Sequence, residues 1–426
     1  MTALSSSLLE LFLTMPTTMN LSDCQFEHSI GSIVNYWWYA IQVHAAYVVL
    51  GGVPLGGLLF YVVTSTSSWC SSPTMRRLLS VLVAVAAAAS VPLYWNYYSK
   101  KLITTADDAD HDYDDRGGIR WMGPFLASTF GFSTFFKAIN AGFQQYPSGA
   151  DANLWTWLCW FALLPEPQFT KGKLSKASAK EITVQLETIG CKILSLFLLL
   201  TYLRNWHHYD SFQLNDGNND KQSTYFGLPY QYWHGMLHIW LIYLFASFCE
   251  DFSILMNLPL TKGARWSLGF DNPMLASRTF AEAWGVRWNL PVQILLKRTI
   301  YVPARRSLGL SKEVSIVLTF LGSGLLHEYN FWIHNHRGYQ PGRATVFFVG
   351  MSFVMMVDAS IRSRILLPAS WQSATDRIPS VVIAAALTFS VSGIFSSFFI
   401  QSWLEAGFFE STLELFPHLV CVHHSS

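Results

Sequence analysis

"GSGLLHEYNFW" (residues 322–332) lies inside an apolar run long enough to cross a membrane, yet it carries a histidine and a glutamate side by side. A charge at the centre of a bilayer costs at least ~2.5–3.5 kcal/mol on insertion scales, so ionisable residues there turn towards a cavity or a partner. On a helix, His327 shares one face with Ser323, Gly324, Asn330 and Phe331, because positions i−4, i−3, i+3 and i+4 lie together. Two of these are small and one is polar, so that face leaves room for a substrate beside the imidazole. A neutral imidazole is far cheaper to bury than a charged one, and it can accept a proton. Glu328 projects about 100° away from it and is expected to support the site structurally rather than perform chemistry. The competing reading is that His327 only bonds a neighbouring helix. The adjoining Gly-Ser-Gly, the glutamate and the loop upstream favour a functional role.

The rest of the chain suits such a segment. About half of the 426 residues are hydrophobic (51%) and only 13% are charged, against about 25% charged in ordinary soluble domains. The 17 tryptophans suit rings placed at headgroup level. Apolar runs at 37–63, 78–98, 189–203, 234–256, 314–334, 344–361 and 380–403, with weaker ones at 121–139 and 152–165, predict eight or nine spans in one all-α, polytopic domain covering residues 1–426. No internal repeat is visible, which weakens a transporter built from two similar halves. The six cysteines show no CxxC spacing and are expected as reduced, packed thiols without zinc. The first 20 residues lack a basic flank and do not read as a signal peptide.

Lysine and arginine orient the C-terminal half. Loop 170–188 holds Lys171, Lys173, Lys176 and Lys180, and loop 257–312 carries nine basic residues against the acids Asp271 and Glu282. Loop 362–379 has three arginines, whereas 404–426 has no lysine or arginine. By the positive-inside rule the three basic loops face the cytosol and the C-terminus the lumen. The N-terminal side depends on whether both weak segments span. A sequon at Asn20 would be glycosylated only on the lumenal side.

Upstream of the histidine lies "FDNPMLASRTFAEAWGVRWNLPVQILLKRTIYVPARR" (270–306). It is too charged for a simple span and too aromatic for a plain solvated loop. Phe280, Trp284 and Trp288 recur every four residues and form one stripe on a helix. Such a piece lies on the membrane or re-enters it where protein shields the backbone. "WGVRWN" (284–289) followed by "SGLLHE" (323–328) resembles the membrane-bound O-acyltransferase superfamily, in its wax-synthase-type branch, over about residues 225–345. The family's asparagine and histidine map onto Asn289 and His327. Sterol and diacylglycerol acyltransferases of the superfamily carry two adjacent tryptophans before the asparagine; here Arg287 precedes Trp288, which favours the wax-synthase branch.

The resemblance implies a bundle around a central reaction chamber and transfer of a fatty acyl group from acyl-CoA to a lipid hydroxyl, a long-chain alcohol first. It also implies an endoplasmic-reticulum membrane. His327 then acts as general base, with Asn289 as oxyanion donor or acceptor-orienting group. Trp288, Ser323, Gly324, Asn330 and Glu328 support the pair. The basic loop with Trp284, Arg287, Arg305 and Arg306 offers a docking surface for the CoA phosphates. Acyl-CoA is a co-substrate; no cofactor, metal or nucleic acid is expected, and self-association into a homo-oligomer stays open. Diacylglycerol, a sterol or a terpenoid alcohol remain alternative acceptors, and a proton-relaying channel or transporter the alternative from another class.

Three further motifs invite readings of their own. His234 and His238 sit at i, i+4 in "YWHGMLHIW", with two more histidines in "NWHHY" (205–209). No carboxylate completes HExxH, so these read as interfacial residues, with His234 and His238 available to line the cavity. "ADDADHDYDDRGG" (106–118) lacks the glycine and glutamate of a calcium loop and reads as a solvated acidic loop. "LPEPQF" (164–169), with Glu166 between two prolines, reads as a turn at a membrane boundary.

Overall fold

A computed structural model describes residues 24–64, 72–106, 117–206, 224–225, 228–334, 340–364 and 398–421. The sequon at Asn20, the histidines after Trp206, the acidic residues 107–116 and most of the span at 380–403 lie outside these residues.

The described chain is mostly helical. Strand β1 (Cys24–Phe26) leads into α1 (Ile30–Thr64), whose first turn is capped by the Ser29 hydroxyl accepting from the Ser32 amide. Then come α2 (Pro73–Ala106), α3 (Gly117–Gly142) and α4 (Leu154–Phe161). A short ribbon of β2 (Phe169–Thr170) and β3 (Lys173–Leu174) precedes α5 (Ala179–Trp206), which opens on a capping box between Ser178 and Glu181. A second ribbon, β4 (Thr224–Tyr225) with β5 (Leu228–Pro229), leads into α6 (Tyr230–Leu260). After a broken stretch come α7 (Leu290–Leu296), α8 (Lys312–His334), α9 (Arg343–Arg364), α10 (Phe408–Leu415) and β6 (Leu419–Cys421).

Five helices among the described residues are long and apolar enough to cross a membrane. The 23 residues of α8 reach ~34 Å at ~1.5 Å per residue, enough to span as well. The weak segment 152–165 does not cross. Its helix α4 has 8 residues, ~12 Å against a hydrocarbon thickness of ~30 Å. Trp157 and Trp160 of α4 are fully buried against α1 and α3, so its apolar character serves protein packing.

Long-range ties answer the polar groups that the helices bury. Lys192 of α5 pairs with Asp251 of α6, which also accepts from the Gln185 amide at 3.1 Å. The α8 and α9 backbones approach at Gly324, where an added Cβ would lie 2.7 Å from the Thr345 Cα. At one end of the bundle β1 pairs antiparallel with β6, Cys24 facing Cys421 across the ladder. The two ends of the described chain therefore lie on one face. Cys24 is disulfide-bonded, whereas Cys159, Cys191 and Cys249 are free thiols. The reading that saw no disulfide is corrected there, because a strand partner so distant in sequence leaves no local signal.

Beside this ribbon the Glu27 carboxylate accepts from Arg204 at 2.7 and 3.0 Å and from the His418 ring. Burial alone would push its pKa up, but the hydrogen bonds and charges of Arg204 and His418 hold it down, at about 2 against an ordinary 4.5. A carboxyl lowered on folding stabilises above its unfolded pKa and loses that contribution as the pH falls through the folded one. The thermal midpoint of detergent-solubilised protein should therefore decline between pH 4.5 and about 2, with a shallower acid limb in Glu27→Gln. Superimposable limbs would show that the carboxylate adds no stability.

Candidate active site

His327 stands on α8 with its Nδ1 2.8 Å from the Ser323 carbonyl oxygen. A carbonyl only accepts, so a neutral ring carries its proton on Nδ1 and keeps the Nε2 lone pair free. The ring lies tilted against Phe348 (centroids 4.3 Å) and edge-on to Phe399 (5.6 Å). It borders a cavity of about 300 Å³, at the small end of ligand pockets.

Asn289 borders the same cavity. It adopts the left-handed conformation (φ 44, ψ 57) at the start of α7, a conformation that asparagine tolerates better than most residues. Neighbouring amides hold it there: Leu290 N–H donates to the Gly269 carbonyl at 2.7 Å, and Gln293 N–H to the Asn289 carbonyl at 3.0 Å. The predicted aromatic stripe survives, but not on a continuous helix. Residues 283–287 form a π-turn, Trp288 is extended, and its N–H donates to the Ala283 carbonyl at 2.9 Å. The wider turn keeps the Trp284 and Trp288 rings 5.1 Å apart, and both line the cavity with Ser323.

Other sequence candidates lie further out. Gly324 is filled by α9, as described, and Asn330 is buried outside the cavity lining. Glu328 accepts the backbone N–H groups of Gly342 (3.0 Å) and Thr345 (2.8 Å) at the N-terminus of α9, where the helix dipole favours an anion. The Arg287 guanidinium pairs with Asp271 and Glu282, both at 2.8 Å, and clamps its own loop. Arg305 donates to the Leu310 carbonyl, and Arg306 is exposed; neither lines the cavity. His238 is buried against Phe409, also away from it. The His234 side chain lies outside the described residues.

Gln293, Lys297, Tyr301, Thr319 and Met355 line the cavity and were missed in the sequence. Most carried a signal. Asn289, Gln293, Lys297 and Tyr301 follow one another at four-residue steps, and so do Thr319, Ser323 and His327. Two helical stripes thus face each other across the site.

The two walls fall within residues 266–350 but for Met355, and that stretch matches the family described as membrane bound O-acyl transferase. The chain is similar to that family over those residues. Known relatives are similar to parts of the chain. A diacylglycerol O-acyltransferase of Oryza sativa subsp. japonica is 37% identical over 22% of the chain. A long-chain-alcohol O-fatty-acyltransferase of Simmondsia chinensis is 38% identical over 19%, and an Arabidopsis thaliana protein named a probable long-chain-alcohol O-fatty-acyltransferase is 31% identical over 26%. The chain spans 16%, 24% and 33% of those relatives' own lengths, respectively.

Glu328→Ala would strip two backbone donors of a charged acceptor and should cost about 2 kcal/mol of stability. Thermal melting in detergent measures it, and an unchanged midpoint would show the cap to be redundant.

Proposed function

We propose that this chain transfers a fatty acyl group from acyl-CoA to a lipid hydroxyl, with a long-chain alcohol as acceptor and a wax ester as product. The observation that carries this reading is the convergence of Asn289 and His327 on one cavity from two walls. The Nε2 lone pair takes the hydroxyl proton as the alcohol oxygen attacks the thioester carbonyl. The Asn289 side-chain amide donates to the oxyanion that forms. Collapse breaks the C–S bond, and the imidazolium returns its proton to the leaving thiolate, giving ester and free CoA thiol. The aromatic lining excludes water that would otherwise hydrolyse the thioester. A volume of about 300 Å³ accommodates the reacting ends of two lipids rather than their whole tails. The long-chain-alcohol relatives support the acceptor; the rice relative makes diacylglycerol the second acceptor to test. Nothing in these similarities favours a transporter.

The same reading sets the chain in the endoplasmic-reticulum membrane with eight crossings: α1, α2, α3, α5, α6, α8, α9 and the segment 380–403. An even number suits chain ends tied on one face through β1 and β6. It makes both ends lumenal, where disulfides persist, and leaves Arg76 and Arg77 at the start of α2 on the cytosolic side.

Three outcomes follow from this function. His327→Ala, inserted normally, should lower ester synthesis by about 10²–10⁴-fold; wild-type turnover would refute the base. Asn289→Ala should lower turnover by at least about tenfold, and a change in expression alone would point to packing. Full-length protein made in microsomes should carry an endoglycosidase-sensitive glycan at Asn20 that Asn20→Gln removes; an unglycosylated N-terminus would argue for an odd number of crossings.

A further inference from the structure

The wall that presents Lys297 and Tyr301 to the cavity is anchored from behind by residues outside the family segment. Arg298 Nη1 donates to both oxygens of Glu166, at 2.8 and 3.0 Å. The Glu166 side chain is only 5% exposed and also accepts from Trp160 Nε1 at 3.0 Å. One residue further on, Thr299 Oγ1 donates to Asn140 Oδ1 of α3 at 2.9 Å. The Lys137 ammonium, fully buried on α3, donates to the Trp160 and Leu163 carbonyls, both at 2.6 Å, and so braces the turn that carries Glu166.

Lys297 is exposed at the cavity and has no ion pair among the described residues. Residues 297–301 form a π-turn, a geometry with poorer intrinsic hydrogen bonding that is found at functional sites. Such a turn needs external restraint to keep its register. Two consecutive side chains, Arg298 and Thr299, supply it while their neighbour Lys297 points at the cavity.

We propose that Glu166 is a positioning residue for donor binding: through Arg298 it holds residues 297–301 in the register that presents the Lys297 ammonium to an anionic acyl donor. The proposal rests on the acyl-transfer reading. A buried carboxylate paired with a guanidinium is a poor choice for stability alone, because well-packed neutral residues often serve as well or better. Its value here lies in direction, since a planar guanidinium donates only along its fixed N–H directions.

The test compares Glu166→Gln with the double variant Glu166→Gln/Arg298→Met in the full-length protein. Glu166→Gln leaves Arg298 without its counter-charge; the KM for acyl-CoA should rise about tenfold while kcat stays within about twofold. The double variant removes the stranded charge and should recover the wild-type melting temperature while KM stays raised. A KM that returns to normal together with the melting temperature would assign the pair a purely structural role and overturn the proposal. A second arm needs no turnover: in a Lys297→Cys background, Glu166→Gln should change the labelling rate at position 297 by a water-soluble maleimide at least about fivefold. An unchanged rate would overturn the proposal. Wild-type protein that forms no ester from acyl-CoA would refute the reaction, and the labelling arm would still decide the positioning.

Discussion

Hydrocarbon offers no hydrogen-bond partners, so several ionisable groups that this chain buries are answered from within the protein. Lys192 finds Asp251, Lys137 finds two carbonyls, Glu166 finds Arg298, and Glu328 finds two amides at the start of α9. Each tie joins two different elements, so the same groups that burden insertion also set how the helices stand against one another. His327 departs from this pattern. One ring nitrogen is committed to its own helix through the Ser323 carbonyl, and the ring borders open volume. A ring nitrogen left open towards a cavity makes His327 a candidate for chemistry rather than for support.

Much of that site was legible in the sequence. A histidine in an apolar run, flanked by small residues and preceded by an aromatic stretch ending in Asn289, pointed to two side chains that line one cavity. The four-residue recurrence that places Gln293, Lys297 and Thr319 at the cavity was also present. The π-turns were not legible, because they differ from a helix by one residue per turn and arise from tertiary restraint. Trp288 therefore joins its stripe by a wider turn than expected. Glu166 was read as a turn residue because local composition records two prolines and cannot show Arg298 arriving from the other half of the chain. Arg287 illustrates the converse. Its charge suggested a ligand, yet its partners Asp271 and Glu282 occupy it fully.

Chemistry and support come from different parts of the molecule. The side chains proposed to react sit within residues 266–350, the stretch that matches the acyl-transferase family. The groups that hold their walls come from residues 137–168 and from α6, beyond that segment. Tyr243 of α6 lies tilted beside Trp288, and the Glu250 carboxylate of α6 lies against Gly269, where any added side chain would have to displace it. A reaction can thus be carried by a short, recognisable stretch while its geometry is set by residues that bear no motif.

The pairing of β1 with β6 bears on how the protein is made. Their registered residues lie roughly 400 positions apart, and at ~5–20 residues per second a ribosome needs on the order of 20–80 s to travel that distance. Throughout that interval the first strand waits with an open edge, while every crossing is threaded before its mate emerges. Pairing of β1 therefore waits until β6 has been synthesised, and the first strand stays without its partner until then.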